Sequence, residues 1–403
     1  METTLREGNR KCRLLEERGT LGSKDNAAGN LYPGMKVNTS TLDLTIDKPT
    51  FNLAGIFTLN QTEPIKQILK QYEIFGMKVE GSPRKPLLGS DVTLSCTISR
   101  LSDTVSLHWR PMDSSQQNRS NTDQIRLDNT VYLIVQHVTV EDGKLYVCEV
   151  RENGKILHTS NGNVTVNNDL FDGEYTLYRS STDHSELHLV CYSNGRNYSR
   201  AEWTWSPHRH QKQKVIASAN RSQPIIINVN GTNFGNRLVT SGKRFDGKEF
   251  SVRIVSVVFQ DAGLYICFLE HNLFVDIYLI TVKVTAEPSD AVTEGDNVTL
   301  TCSVSNATDS MRLVWINGDG KRVGEKTLTV EEKSLSLVIQ KAERGRGNWR
   351  CVLFDEDLPR LFVPYQEPRG SLDISSFTDI RIIIVLGYLV IKLAVAPGLI
   401  CCS

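Results

Sequence analysis

The chain has 403 residues, and its 46 Lys and Arg balance its 46 Asp and Glu, so its formal net charge is zero. This balance gives no indication of binding to nucleic acid or to an acidic membrane surface, both of which favour basic proteins. The length suffices for several domains of about 100 residues, each with its own hydrophobic core.

The first part of the chain, residues 1–30, is densely charged and holds no apolar run resembling a signal-peptide core. We expect it to be disordered, and we interpret it as an alternative or mispredicted exon. A cytosolic protein is the competing interpretation. Residues 31–79 follow, and their apolar segments Leu42–Ile46 and Gly55–Leu59 look like the second half of a broken β-domain.

One short pattern recurs along the chain: an acidic residue, a glycine, and an aromatic residue two places before a cysteine. It is complete at Asp261–Cys267. Asp142–Cys148 places the glycine one position early, Gly347–Cys351 has Trp in place of Tyr, and Gly55–Leu59 has Phe and Leu in place of Tyr and Cys. Recurrence at domain-sized intervals indicates tandem copies of one fold.

The pattern resembles the F-strand motif of the immunoglobulin superfamily, Asp-x-Gly-x-Tyr-x-Cys. The resemblance implies an all-β chain of tandem immunoglobulin-like β-sandwiches, and residues 31–79 are then the remnant of one more. The complete domains are expected at 80–168, 169–286 and 287–365. The longer spacing between the cysteines of the middle domain favours a variable-type sandwich, whereas the other two look compact.

The same resemblance implies a set of structural residues. The cysteines pair as Cys96–Cys148, Cys191–Cys267 and Cys302–Cys351. The core tryptophans are Trp109, Trp203 and Trp315, with Trp205 as the alternative to Trp203. Arg244 is expected to pair with Asp261 across the bottom of the middle sandwich, which would be a structural ion pair.

Disulfides and glycosylation sequons favour an oxidising compartment. The sequons begin at Asn38, Asn60, Asn118, Asn163, Asn197, Asn220, Asn230, Asn297 and Asn306. We therefore expect an extracellular ectodomain at the plasma membrane.

After an expected stalk at 366–381, residues 382–400 form a nearly continuous apolar run, interrupted by Lys392. Such a run is long enough for a single C-terminal transmembrane helix across about 30 Å of hydrocarbon. Lys392 either pairs with a carboxylate of an adaptor helix, as in activating leukocyte receptors, or snorkels to the interface. The alternative is a lipid-anchored form with Gly370–Ser371 as the acceptor site.

The chain shows no metal-ligand spacing, nucleophile elbow or phosphate-binding glycine loop. We therefore predict no enzyme activity, no cofactor and no nucleic-acid partner. The basic loop Pro207–Lys214 is either a solvated loop or a contact surface for an acidic partner. We predict a single-pass receptor that binds a protein ligand in immune recognition and signals through an acidic adaptor at Lys392. A lipid-anchored binding protein and a homophilic cell-adhesion molecule are the alternatives.

Overall fold

The computed structural model describes residues 2–7, 10–17, 35–38, 41, 43–47, 49–63, 65–100, 104–112, 122–143, 145–166, 173–182, 184–193, 195, 197–288, 297–340 and 349–365. Regular structure in these ranges consists of β-strands and short 3-10 helices at Phe51–Leu53, Val140–Gly143, Gly235–Arg237 and Phe259–Asp261. This described part contains no helix with the length and hydropathy needed to cross a bilayer. The expected stalk and spanning segment, residues 366–400, lie outside it.

An antiparallel N-terminal sheet precedes the sandwiches, in the order β1-β2-β5-β6. Its strands are β1 (Glu2–Glu7), β2 (Arg10–Glu17), β5 (Gly55–Glu63) and β6 (Gln67–Ile74). A separate two-stranded sheet pairs β3 (Met35–Asn38) with β4 (Asp43–Ile46). The expectation of a disordered start is wrong for β1 and β2, because β2 pairs with β5 along its length and places Leu14 opposite Leu59. Residues 1–30 and 31–79 therefore contribute to one sheet.

The first sandwich runs from β7 to β13, and we call the sheet that carries the tryptophan strand the front sheet of each sandwich. The front sheet has the order β13-β12-β9 and the back sheet β10-β11-β8-β7. The strands are β7 (Met77–Ser82), β8 (Val92–Ile98), β9 (Val105–Pro111), β10 (Thr122–Leu127), β11 (Thr130–Val135), β12 (Leu145–Glu152) and β13 (Lys155–Asn163). The expected boundary at residue 80 falls inside β7.

The second sandwich has a back sheet β15-β20-β19 and a front sheet β18-β17-β16-β21-β22, with β14 parallel to β22 at its margin. The strands are β14 (Gly173–Ser180), β15 (Glu186–Leu189), β16 (Arg200–Ser206), β17 (Lys214–Asn220), β18 (Ile226–Ile227), β19 (Leu238–Thr240), β20 (Val252–Val255), β21 (Gly263–Leu269) and β22 (Asn272–Glu287). The extra strands β17 and β18 occupy the room that the long cysteine spacing indicated.

The third sandwich shares a strand with the second. β22 continues past the second core and pairs with β23 from Val282 to Glu287, so the expected boundary at 286/287 is not a linker. The remaining strands are β23 (Val298–Val304), β24 (Met311–Ile316), β25 (Arg322–Thr327), β26 (Ser334–Ile339), β27 (Arg350–Asp355) and β28 (Leu358–Pro364). The front sheet has the order β25-β24-β27-β28.

The first sandwich folds back onto the third. Apolar side chains on the back sheet of the first meet those on the front sheet of the third in one cluster, which we call the cross-domain cluster: Ile125, Leu127, Ile134, Val314, Ile316, Val352, Phe354 and Phe362. Each of these side chains is at most 8% exposed. Burial of this kind stabilises by about 1.5–3 kcal/mol per side chain. The three sandwiches therefore form one closed unit.

Candidate functional site

The three sandwiches have the same internal scaffold. The structure joins each expected cysteine pair, with Cα separations of 6.3 to 6.4 Å. In each, the tryptophan lies directly opposite the second cysteine: Trp109 faces Cys148, Trp203 faces Cys267 and Trp315 faces Cys351. The indole nitrogens donate to the carbonyl oxygens of Val131, Phe250 and Leu335 at 3.0 to 3.1 Å. In each sandwich the indole N–H of the core tryptophan is therefore satisfied beside the disulfide.

The corner before β21 shows why its sequence pattern is so restricted. Tyr265 is fully buried, and its hydroxyl donates to the Asp261 carbonyl oxygen at 2.6 Å. Gly263 has φ +142°, and a Cβ at that position would lie 2.2 Å from the Ser206 carbonyl oxygen. Burial raises the pKa of Tyr265 well above its ordinary value, which keeps the hydroxyl protonated as a donor.

The partner of Asp261 is Arg237, and the expected pair with Arg244 is wrong. The two guanidinium nitrogens of Arg237 reach the two carboxylate oxygens of Asp261 at 2.5 and 2.8 Å, and this bond raises the pKa of Arg237. Arg237 immediately precedes β19, at the end of that strand next to the corner. Arg244 follows the other end of β19, where it is exposed and its backbone bridges to Pro224.

The outward side of the second front sheet carries a compact charged group at its β14–β22 margin. Arg209, from the predicted basic loop, binds Glu174 and lies 5.4 Å from the centre of the Tyr278 ring. Asn306 of the third sandwich donates to the Tyr278 hydroxyl at 2.6 Å. Asp276 has a buried Oδ1 with no hydrogen-bond partner, and desolvation together with the nearby Glu174 raises its pKa.

The rest of the basic loop is presented to solvent beside this group. The side chains from His208 to Lys212 are exposed, and Lys214 donates to the Gly231 carbonyl oxygen. On the neighbouring strands, Val215 is 37% exposed and Ile226 is 65% exposed. The exposed apolar residues therefore lie at the β17–β18 edge, across the sheet from the β14–β22 margin, and the basic loop reaches that margin through Arg209.

The matching face of the third sandwich is covered. Val314, Ile316, Val352, Phe354 and Phe362 on its front sheet all lie in the cross-domain cluster beneath the first sandwich. At the edge of the contact, Arg322 lies 3.1 Å from Asp128 and Thr93 donates to the Pro359 carbonyl oxygen at 3.1 Å. The second front sheet is exposed at its β17–β18 edge, at Val215 and Ile226, whereas Thr204, Leu264 and Ile266 on the outward side of its central strands are buried.

Comparison with known proteins agrees with this scaffold. The family model described as immunoglobulin domain matches residues 87–156 and 288–360, which lie in the first and third sandwiches. The chain therefore contains two matched immunoglobulin domains. The second sandwich lies outside both matches, but its Trp203–Cys267 register and its disulfide repeat those of the matched domains.

The chain is also similar to two individual proteins. The chain is 25% identical over 123 residues to a CD276 antigen homolog from Xenopus laevis, which covers 26% of this chain and 39% of that protein. The chain thus spans well under half of that relative. A solved chain from a photo-crosslinking study of multimeric cell-adhesive interactions of VGSC beta subunits shares 16% identity with a TM-score of 0.21, covering 27% of this chain and 91% of that one.

The predicted sequons differ in accessibility. Exposed acceptors are Asn163, Asn197, Asn220, Asn230 and Asn297, whereas Asn60 and Asn306 are half-buried. The Asn306 amide nitrogen already donates to Tyr278, which argues against a glycan there. The side chain of Asn38, the whole of Asn118 and the predicted membrane residue Lys392 lie outside the described residues.

Sequence reasoning missed Arg237 and the docking of the first domain on the third. Arg237 precedes the short strand β19, and the position of that strand relative to the corner decides which arginine can reach Asp261. The docking has a visible signal: β11 reads Thr130-Val-Tyr-Leu-Ile-Val135, apolar on both faces. Such a strand is typical of a sheet buried on both sides.

Proposed function

We propose that this chain is a cell-surface binding protein whose second immunoglobulin domain engages a protein partner through its front sheet. Its domains, its disulfides and its similarity to a CD276 antigen homolog support a place among surface proteins. The finer assignment is a leukocyte-receptor-like protein of immune recognition, with a variable-type second domain and more compact flanking domains. Catalysis has no part in it.

The contrast between two equivalent faces carries the choice of site. The third front sheet is buried beneath the first domain, whereas the second exposes Ile226, Val215 and the basic loop next to Asp276. Interfaces typically combine an apolar centre with a polar rim. A partner surface that places an acidic patch against His208–Lys212 fits this arrangement.

Cells that display the full chain provide the test. Conjugates with a panel of leukocytes are counted by flow cytometry for wild type, Ile226→Asp and Lys212→Glu. Lys155→Glu is the matched control, because it makes the same charge change at an exposed residue of β13 in the first sandwich. We expect at least a tenfold loss of conjugates for the two front-sheet variants and no loss for the control. Equal binding by all four proteins would contradict the proposed site.

Anchoring is part of the same proposal. Residues 382–400 would cross the membrane and hold Lys392 at a depth where an acidic adaptor helix can pair with it. Release of the protein from cells by phospholipase would instead favour the lipid-anchored form. Aggregation of beads that carry only this chain would favour homophilic adhesion.

A further inference from the structure

The joint between the first and second domains contains a nearly buried ion pair. Arg179 of β14 donates to both carboxylate oxygens of Asp91 at 2.6 and 3.1 Å, and the two side chains are 3% and 10% exposed. Arg179 also donates to the carbonyl oxygens of Glu186 and Tyr178. Asp91 accepts the backbone N–H of His137 at 3.0 Å. This network fixes the first domain on the second.

Two histidines stack in the same joint. The rings of His137 from the first domain and His188 from the second have centroids 4.1 Å apart and are tilted by 31°. His137 has φ +50°, a left-handed conformation that non-glycine residues rarely adopt, and its Nδ1 is buried without a hydrogen-bond partner. The surroundings therefore hold the two rings together. The His137 Nδ1 has no hydrogen-bond acceptor for an added proton.

The groups around the pair disfavour its charged form. Burial, together with smaller contributions from His188 and Arg179, lowers the pKa of His137 to about 4, and Asp91 and Asp142 oppose the shift. Burial also lowers the pKa of His188, with Arg253 and Arg179 in the same direction and Glu186 opposing. Asp91 is engaged by Arg179, and Asp142 accepts bonds from Thr139 at 2.7 and 2.8 Å. Protonation of His137 would therefore add a cation beside Arg179 without an available counter-ion, whereas His188 has Glu186, whose Oε2 lies 3.2 Å from the His188 Nε2.

We propose that the His137–His188 stack is an acid-labile latch, whose protonation releases the first domain from the second and uncovers the apolar front sheet of the third. The second and third domains stay together because β22 runs through both and Tyr178 donates to Asp355 at 2.5 Å. The first domain shares neither of these two connections, so it is the part that moves.

The sign and size of the effect follow from linkage. In the closed form His137 is a neutral imidazole with a pKa of about 4, whereas in the released form its pKa has the ordinary value of 6.5. The closed form has its full stability relative to the open form above pH 6.5, and this stability decreases as the pH falls from 6.5 towards 4. Between pH 7 and pH 5, His137 alone raises the ratio of open to closed chains by about 20-fold, and His188 adds to this in the same direction.

The test measures how often the cross-domain cluster opens in the full chain. A cysteine replaces Ile134, which is 1% exposed, and its labelling rate by a thiol reagent is followed by peptide mass spectrometry. Slow labelling of a buried thiol reports the open population even when that population is small. The rate is divided by that of a cysteine at Phe75, which is 54% exposed, and this removes the pH dependence of the reagent.

We expect the corrected rate at position 134 to rise about 20-fold or more from pH 7 to pH 5. It should stay flat when His137→Gln and His188→Gln are both present, and single His188→Gln should show a reduced rise. His158→Gln, at an exposed histidine of β13, should behave as the wild type. Ile216→Cys, in the fully buried second core, should show no rise.

Three results would overturn the latch. A flat rate in the chain with both histidines is the first, and an undiminished rise in the double variant is the second. The third is a parallel rise at positions 134 and 216, because acid would then loosen the whole fold rather than one joint.

Discussion

Tyr178 and Arg179 are neighbours in β14 and clamp two different domains to the second. The Tyr178 hydroxyl donates to Asp355 of the third domain at 2.5 Å, and Arg179 donates to Asp91 of the first at 2.6 Å. Successive side chains of a strand point to opposite faces, so one dipeptide can serve both contacts. The closed arrangement thus depends on the strand that begins the second domain.

Replacing Arg179 by Met should leave Asp91 nearly buried and without its cation. Breaking such a pair costs about 3–5 kcal/mol. We expect a loss near the lower end of that range in the free energy of unfolding, measured by urea denaturation. Arg200→Met is the matched control, since its pair with Glu202 has an arginine that is 51% exposed, and an exposed pair contributes at most about 1 kcal/mol. Equal losses for the two variants would show that the Asp91 contact does not hold the domains.

The two candidate arginines for Asp261 can be separated in the same way. Arg237→Met removes both bonds to a carboxylate that is fully buried, and should destabilise the second domain by about 2–4 kcal/mol. Arg244→Met changes an exposed side chain and should stay within about 0.5 kcal/mol. Thermal unfolding, monitored by near-ultraviolet circular dichroism, measures the stability change of both variants. A larger effect at Arg244 would restore the pairing that the sequence suggested.

Non-reducing peptide mapping should recover Cys96 with Cys148, Cys191 with Cys267, and Cys302 with Cys351. Replacing Cys302 and Cys351 together by Ala should lower the stability of the third domain by about 2–4 kcal/mol. Free thiols at these six positions, or bridges between domains, would be incompatible with the sandwich arrangement.

The variant Lys392→Leu tests the proposed pairing of this lysine with an acidic adaptor helix. An unpaired lysine near the middle of a membrane span costs about 2.5–3.5 kcal/mol on insertion scales, so its removal should improve insertion. It should also abolish co-precipitation of acidic adaptor chains from detergent extracts. Equal recovery of adaptors with wild type and variant would mean that the lysine snorkels to the interface.

The parts of the fold that were predictable depend on short-range sequence. The distance from each first cysteine to its tryptophan, and the aromatic residue before each second cysteine, fix the register within a single domain, as Trp203 opposite Cys267 shows. Trp205, which lies two residues further on, is also buried and packs edge-on against Phe234 at 5.1 Å, so spacing alone could not rank the two.

The parts that were not predictable depend on contacts between distant segments. Arg237 reaches Asp261 only because β19 pairs with β20, which leads into the corner. The pairing of β2 with β5 joins charged residues near the start to a strand far along the chain. Docking of the first domain on the third is a contact between surfaces, and the sequence shows only that both surfaces are apolar.

The shared strand β22 has a mechanical consequence. Its 16 residues span about 50 Å at about 3.3 Å per residue, and no turn separates the part in the second domain from the part in the third. A force applied to the second domain therefore cannot be absorbed by bending at a linker to the third. The continuous strand instead transmits the force directly to the third domain.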